Sequence, residues 1–84
     1  SAYHEASGRA MDVYTDLPGV QFYTGNWLGG EKGKDGASYE DRDAFCFETQ
    51  MYPDSVNHPQ FPSPVVKAGT AHVTRTSYRF YIGK

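Results

Sequence analysis

The sequence predicts an all-β protein, specifically an antiparallel β-sandwich, from three observations. Aromatic residues are abundant, with seven Tyr, five Phe and one Trp in 84 residues, and such side chains favour strands. Apolar and polar residues alternate with the period of two that is typical of strands. We find no apolar stripe with helical spacing. Five or six strands joined by long connections are therefore expected.

The first half of the chain reads as a hairpin followed by a third strand. Residues 2–6 and 10–16 have strand character, and the Ser-Gly-Arg sequence at 7–9 is typical of a tight turn. Pro18-Gly19 interrupts the pattern before a strand at residues 20–24.

The second half contains two long connections between the remaining strands. Residues 25–44 hold five glycines and eight charged residues, and loops of this length are often functional. A strand follows at residues 45–50, then a proline-rich crossing at 52–64 that we expect to be irregular. The last strand is predicted at residues 71–82.

The sequence also suggests that residues 1–84 are one part of a larger domain. All-β sandwiches can run to about 200–250 residues, and these strands are too few to enclose a ligand site. The chain lacks an initiator Met and begins in a strand-like segment. We therefore expect residues 1–84 to be the C-terminal strands of a single sandwich domain, with an upstream part of the same polypeptide as partner.

Composition excludes several functional classes. The formal charge of −2 gives no basic footprint for nucleic acid, and no apolar run is long enough to cross a membrane. Cys46 is the single cysteine, so there is no internal disulfide, and the three His and Cys46 lack zinc-like spacing. We expect no metal or cofactor, and the absence of an export signal makes a cytoplasmic protein the default.

Glu48 is the most informative residue of the chain. It interrupts the aromatic strand Phe45-Cys46-Phe47-Glu48-Thr49-Gln50, and a carboxylate among aromatic side chains costs several kcal/mol unless it is paired or protonated. Alternation places Glu48 on the face of its strand that points away from Phe45 and Phe47. In the earlier strand, it places Gln21 on the face that points away from Phe22. If the two strands share a sheet, Gln21 and Glu48 face one polar cleft, where an amide and a carboxylate beside aromatic rings suit sugar hydroxyls.

Other interpretations of these residues remain open. Glu48 could be a structural carboxylate paired with an arginine, or could work with a second carboxylate as a glycosidase does, across roughly 5–9 Å. Gln21 alone resembles an ordinary cross-strand amide, and Trp27 could stack on a sugar or simply pack. The candidate partners of Glu48 are Arg42, Arg75 and Arg79 for an ion pair, and Asp43 and Asp54 for a glycosidase.

Three consecutive motifs give the chain a recognisable family likeness. PGVQFYTGN at residues 18–26, the ETQ-ending strand at 45–50 and YPDSVNHPQFP at 52–62 resemble the corresponding stretches of the aldose 1-epimerases, the galactose mutarotases. The likeness covers nearly the whole chain, in order and with matching spacing.

The resemblance implies an isomerase that interconverts the α and β anomers of free aldohexoses such as glucose and galactose. A base takes the proton of the anomeric hydroxyl, an acid protonates the ring oxygen, and the ring opens and recloses. By position in the motifs, Glu48 would be the general base and Gln21 a sugar-binding residue. Aromatic neighbours would raise the pKa of Glu48 from about 4.3 toward the useful range.

The family's general-acid histidine and its other sugar-binding residues belong to motifs that this chain does not contain. His4, His58 and His72 do not match the histidine motif, so the chain alone is expected to be inactive. Two alternatives stay open beside the mutarotase: a non-catalytic carbohydrate-binding module, and an epimerase relative that acts on modified hexoses.

Overall fold

A computed structural model describes residues 1–83 and shows five strands, all in antiparallel pairs. No α-helix occurs in this part of the chain, which confirms the all-β prediction. Two 3₁₀ turns, Lys34–Gly36 and Ser55–Asn57, lie in the connections. The strands are β1 (Ala2–Tyr3), β2 (Arg9–Thr15), β3 (Gly19–Tyr23), β4 (Cys46–Gln50) and β5 (Thr76–Ile82).

The first sheet has the order β1-β2-β5. The predicted hairpin forms between β1 and β2, and its turn contains Gly8 at φ +73°, a conformation that glycine adopts without strain. β5 returns from the far end of the chain to pair with the whole of β2, from Arg9↔Ile82 to Thr15↔Thr76.

The last strand is shorter than the sequence predicted, because it begins at Thr76 and not at residue 71. Its partner β2 ends at Thr15, so the preceding residues have no strand to pair with. The pairing stops at Asp16, whose backbone N–H donates to the Arg75 carbonyl, while the Arg75 N–H donates to the Asp16 carboxylate.

The second sheet pairs β3 with β4, from Gly19↔Gln50 to Tyr23↔Cys46. The connection 24–45 is more ordered than a plain loop, since Lys32 and Ser38 form an isolated bridge. Its two ends are brought together at Gly25, whose carbonyl accepts the Arg42 N–H at 2.8 Å. Gly25 has φ +71°, and a Cβ there would lie 2.6 Å from the Ala44 carbonyl oxygen, so only glycine fits.

The two sheets face each other through one side of each. The hydroxyl of Thr76 in β5 lies 3.1 Å from that of Thr49 in β4 and 3.1 Å from that of Thr15 in β2. Thr49 shares its face with Phe47, and a cleft between the sheets is lined by Phe45, Phe80 and other residues. The arrangement is that of two layers of a sandwich.

The inner face is open. Phe22, Phe45 and Phe80 are 55%, 47% and 73% exposed, and Ala10 is the one buried hydrophobic residue in the described part of the chain. The three rings of Phe22, Phe45 and Phe47 nevertheless pack together, with centroids 5.4–6.1 Å apart. These residues form an apolar surface that little of this chain covers.

Residues 1–83 contain no helix with the length and apolar character needed to cross a membrane.

Candidate active site

Gln21 and Glu48 are direct cross-strand partners in the β3–β4 sheet. Residues opposite each other in an antiparallel pair project to the same face, with Cβ atoms about 4.5–5.5 Å apart. Gln21 and Glu48 were expected to face one cleft only if their strands lie in the same sheet, and the two strands do lie in one sheet. Both side chains are exposed, and we call this side of the sheet, with Gly19, Gln21, Tyr23, Cys46, Glu48 and Gln50, the polar face.

The aromatic residues next to Glu48 in sequence lie behind it. Phe22 pairs with Phe47, and these rings stack with Phe45 on the inner face between the two sheets. The sequence suggested that they would desolvate the carboxylate. The structure corrects this expectation, because strand alternation turns the rings away and leaves Glu48 exposed within this chain.

The arginine partners considered for Glu48 are engaged elsewhere or do not reach it. Among residues 1–83, Arg79 pairs with Asp12 at 3.4 Å, and the His58 ring nitrogen lies 3.2 Å from the Asp54 carboxylate. Glu48 takes part in neither, and no side-chain hydrogen bond in this region involves it. Its carboxylate is available to a ligand.

One end of the polar face is bounded by Tyr23 and Trp27. The backbone N–H of Trp27 donates to the Tyr23 hydroxyl at 3.2 Å, which holds the start of the 24–45 connection over this end of the sheet. Trp27 is 84% exposed. Packing within this chain therefore does not account for Trp27.

The other end of the polar face is bounded by Tyr52, which the sequence analysis did not single out. A Cβ placed on Gly19 would meet the Tyr52 ring at 3.2 Å, so the ring rests on the glycine. The sequence holds a signal for this contact, because Gly19 has no side chain and Tyr52 follows two residues after Gln50. In the structure, Gly19 lies opposite Gln50.

The carboxylates proposed as glycosidase partners of Glu48 serve local turns. Asp43 accepts the Glu40 N–H at 2.9 Å. Asp54 accepts from the Asn57 amide and lies 3.2 Å from the His58 ring nitrogen. Neither is a cross-strand neighbour of Glu48, so the structure gives no support to a paired-carboxylate site. Among residues 1–83, no group of three or more His, Cys, Asp or Glu side chains could hold a metal ion.

A polar network on the outer face of the first sheet was also missed by sequence reasoning. Asp12 accepts hydrogen bonds from the Ser1 and Tyr81 hydroxyls at 2.7 and 3.1 Å, and from Tyr14 at 3.4 Å. The Ser1 hydrogen bond is the main cause of a lowered pKa of Asp12, with Tyr81, Tyr14 and Arg79 acting in the same direction. The Arg79 guanidinium lies 4.4 Å from the centre of the Tyr81 ring. The network is structural, because its members satisfy each other.

Most of the chain is similar in sequence to proteins of one family. The family model described as Aldose 1-epimerase matches residues 1–79. The chain is 49% identical over 81 residues to galactose mutarotase from Bos taurus and 51% identical over 80 residues to that from Mus musculus. It is 38% identical over 72 residues to aldose 1-epimerase from Escherichia coli K12.

These alignments cover most of the chain and a small part of each relative. They include 95%, 94% and 83% of the chain, and 24%, 23% and 21% of the bovine, mouse and bacterial proteins, respectively. The chain thus spans about a quarter of the length of the curated relatives it matches. The match over residues 1–79, together with the antiparallel strands, shows that this chain belongs to the aldose 1-epimerase family.

Proposed function

We propose that this chain is the C-terminal part of an aldose 1-epimerase that interconverts the α and β anomers of free aldohexoses such as glucose and galactose. The observation that carries the proposal is the cross-strand pair of Gln21 and Glu48 on an exposed polar face, in a chain that belongs to this family. A carboxylate and an amide on residues whose Cβ atoms lie about 5 Å apart can engage neighbouring hydroxyls of one sugar.

In the proposed mechanism Glu48 is the general base. Its ionised carboxylate accepts the proton of the anomeric hydroxyl while an acid protonates the ring oxygen, so that the bond between C1 and the ring oxygen breaks to give the open aldehyde. Rotation about the C1–C2 bond exposes the other side of the carbonyl, and the reverse proton transfers close the ring as the other anomer. Gln21, beside the base, donates and accepts hydrogen bonds that hold the sugar.

The general acid and the remaining sugar contacts are proposed to come from an upstream part of the same polypeptide. The open inner face supports this, because Phe22, Phe45 and Phe80 are too exposed for a finished sandwich. Further strands over this face would complete one domain of which residues 1–84 are the C-terminal portion. We further propose a cytoplasmic location for this enzyme.

The test is polarimetry of freshly dissolved α-glucose and α-galactose with the full polypeptide. Wild-type protein should accelerate mutarotation, and Glu48→Gln should reduce kcat by about 10²–10⁴-fold, the range for loss of a general base. Gln21→Ala should mainly raise KM, since it removes a contact that holds the sugar. Glu5→Gln is the matched control, because Glu5 is an exposed glutamate in the turn of the other sheet.

Three results would contradict the proposal in different ways. Full activity in Glu48→Gln would remove the base assignment. Sugar binding by the wild-type protein without faster mutarotation would favour a carbohydrate-binding module. Turnover confined to phosphorylated or otherwise modified hexoses would indicate an epimerase relative with a different substrate.

A further inference from the structure

We propose that Tyr52 forms an aromatic wall of the sugar site, at the Gly19–Gln50 end of the polar face. The inference rests on the proposed function, since it places a substrate contact beside the residues assigned to catalysis and binding. The Tyr52 ring would pack against the C–H groups of the pyranose, whereas Gln21 and Glu48 would engage its hydroxyls.

The position of the ring follows from the strand register. Gly19, Gln21 and Tyr23 alternate to one face of β3, so the missing Cβ of Gly19 points to the polar face. That Cβ would meet Tyr52 Cδ1 at 3.2 Å and Cε1 at 3.4 Å. The Tyr52 ring therefore lies on the same side of the sheet as Glu48.

The strand register places Gly19, on which the Tyr52 ring rests, near Gln21 and Glu48. Gly19 is the diagonal neighbour of Glu48, and diagonal neighbours on one face are about 7–8 Å apart, which is within reach of an aromatic side chain. A pyranose bound at Gln21 and Glu48 would thus lie next to the Tyr52 ring. Aromatic side chains with a few convergent polar groups are the usual lining of small-molecule sites.

Tyr52 is held in place from its other side. Its ring packs against Phe61, with centroids 5.0 Å apart, and Phe61 packs against the His58 ring at 5.1 Å. Asp54 in turn lies 3.2 Å from the His58 ring nitrogen. This stack anchors Tyr52 between Gly19 and Phe61 and still leaves it 39% exposed, so the ring is positioned before substrate arrives.

Steady-state kinetics of the full polypeptide test the inference. Tyr52→Ala should raise KM for α-glucose and α-galactose by about tenfold, which corresponds to the loss of one aromatic contact, with kcat little changed. Tyr52→Phe should restore the wild-type KM, because the ring and not the hydroxyl makes the contact.

Tyr39→Ala is the matched control. Tyr39 is also 39% exposed and also packs on a glycine, Gly33, but in the 24–45 connection. The KM of the Tyr39→Ala protein should equal that of the wild type. A wild-type KM in Tyr52→Ala, or an equal increase in Tyr39→Ala, would overturn the proposal.

A second variant covers the case in which Tyr52→Ala does not fold. Gly19→Ala keeps every aromatic side chain and forces the Tyr52 ring to move by a few tenths of an ångström. The Gly19→Ala protein should therefore fold normally and have a higher KM than the wild type. An unchanged KM in Gly19→Ala would contradict the wall. If the protein binds sugar without turnover, the dissociation constant for glucose or galactose replaces KM and the same outcomes apply.

Failure of this inference differs from failure of the proposed function. An active wild type that loses activity in Glu48→Gln, with no effect of Tyr52→Ala on KM, would reject the wall alone. A wild type that neither turns over nor binds aldohexoses would reject both.

Discussion

Residues 1–84 produced alone should fail to form a stable domain, and the structure gives the size of the deficit. A folded monomer of 9.4 kDa is expected to expose about 5,000 Å². This chain exposes 6967 Å², an excess of about 2,000 Å². Its radius of gyration is 16.9 Å, against about 12 Å for a compact domain of the same length.

The excess corresponds to a large gross contribution from apolar burial that this chain lacks. If about 55–60% of that surface is apolar, its burial at about 25 cal/mol per Å² would contribute up to about 25–30 kcal/mol before entropy costs. Net stabilities of folded proteins, about 5–15 kcal/mol, are what remains of such burial after the entropy costs. Without a covering layer over Phe22, Phe45 and Phe80, the chain lacks the burial that offsets the entropy of ordering it.

The assay is urea unfolding by circular dichroism, with sedimentation and a ¹⁵N–¹H correlation spectrum of the same sample. The lone chain should show a broad or absent transition, bind a dye specific for apolar surface, and aggregate or give poorly dispersed amide signals. The full polypeptide is the control and should unfold cooperatively. A monodisperse 9.4 kDa monomer with dispersed signals and a sharp transition would refute this reasoning.

Two further predictions concern the full polypeptide. Phe47→Ala removes the central ring of the Phe22–Phe45–Phe47 stack. If other strands cover the inner face, the substitution should lower the free energy of unfolding in urea by about 3–5 kcal/mol. The control is Val73→Ala at an exposed residue, for which a change of at most ~0.5 kcal/mol is expected; an equally small loss in Phe47→Ala would show that the inner face stays open. Asp12→Asn should remove an acid-sensitive contribution to the melting temperature. The pKa of Asp12 is lowered in the folded state, chiefly by the Ser1 hydrogen bond, so ionised Asp12 stabilises the fold above about pH 4. This stabilisation is lost as the pH falls through the lowered folded-state pKa. The wild-type advantage should therefore shrink in acid, whereas an equal difference at every pH would contradict the role of ionisation.

Local patterns predicted the strands well where the pairing is also local. The hairpin of β1 and β2 was expected from alternation and turn residues, and β3 and β4 were expected as single strands from alternation; their bounds differ from the predicted ones by a few residues. The start of β5 was misplaced, because its length depends on where β2 ends and not on its own composition. The order in the 24–45 connection depends on backbone contacts that alternation does not encode, such as Gly25 with Arg42.

The sequence by itself determined the all-β class and the family, and it singled out Gln21 and Glu48 as candidate site residues, because alternation and motif spacing are properties of the chain. Only the tertiary structure decided that these two residues are cross-strand partners, since register requires two strands distant in sequence to meet. It also turned the phenylalanine rings away from Glu48 and brought Tyr52 onto Gly19. Those contacts depend on which face each strand presents and how the chain crosses it, and a linear pattern cannot specify either.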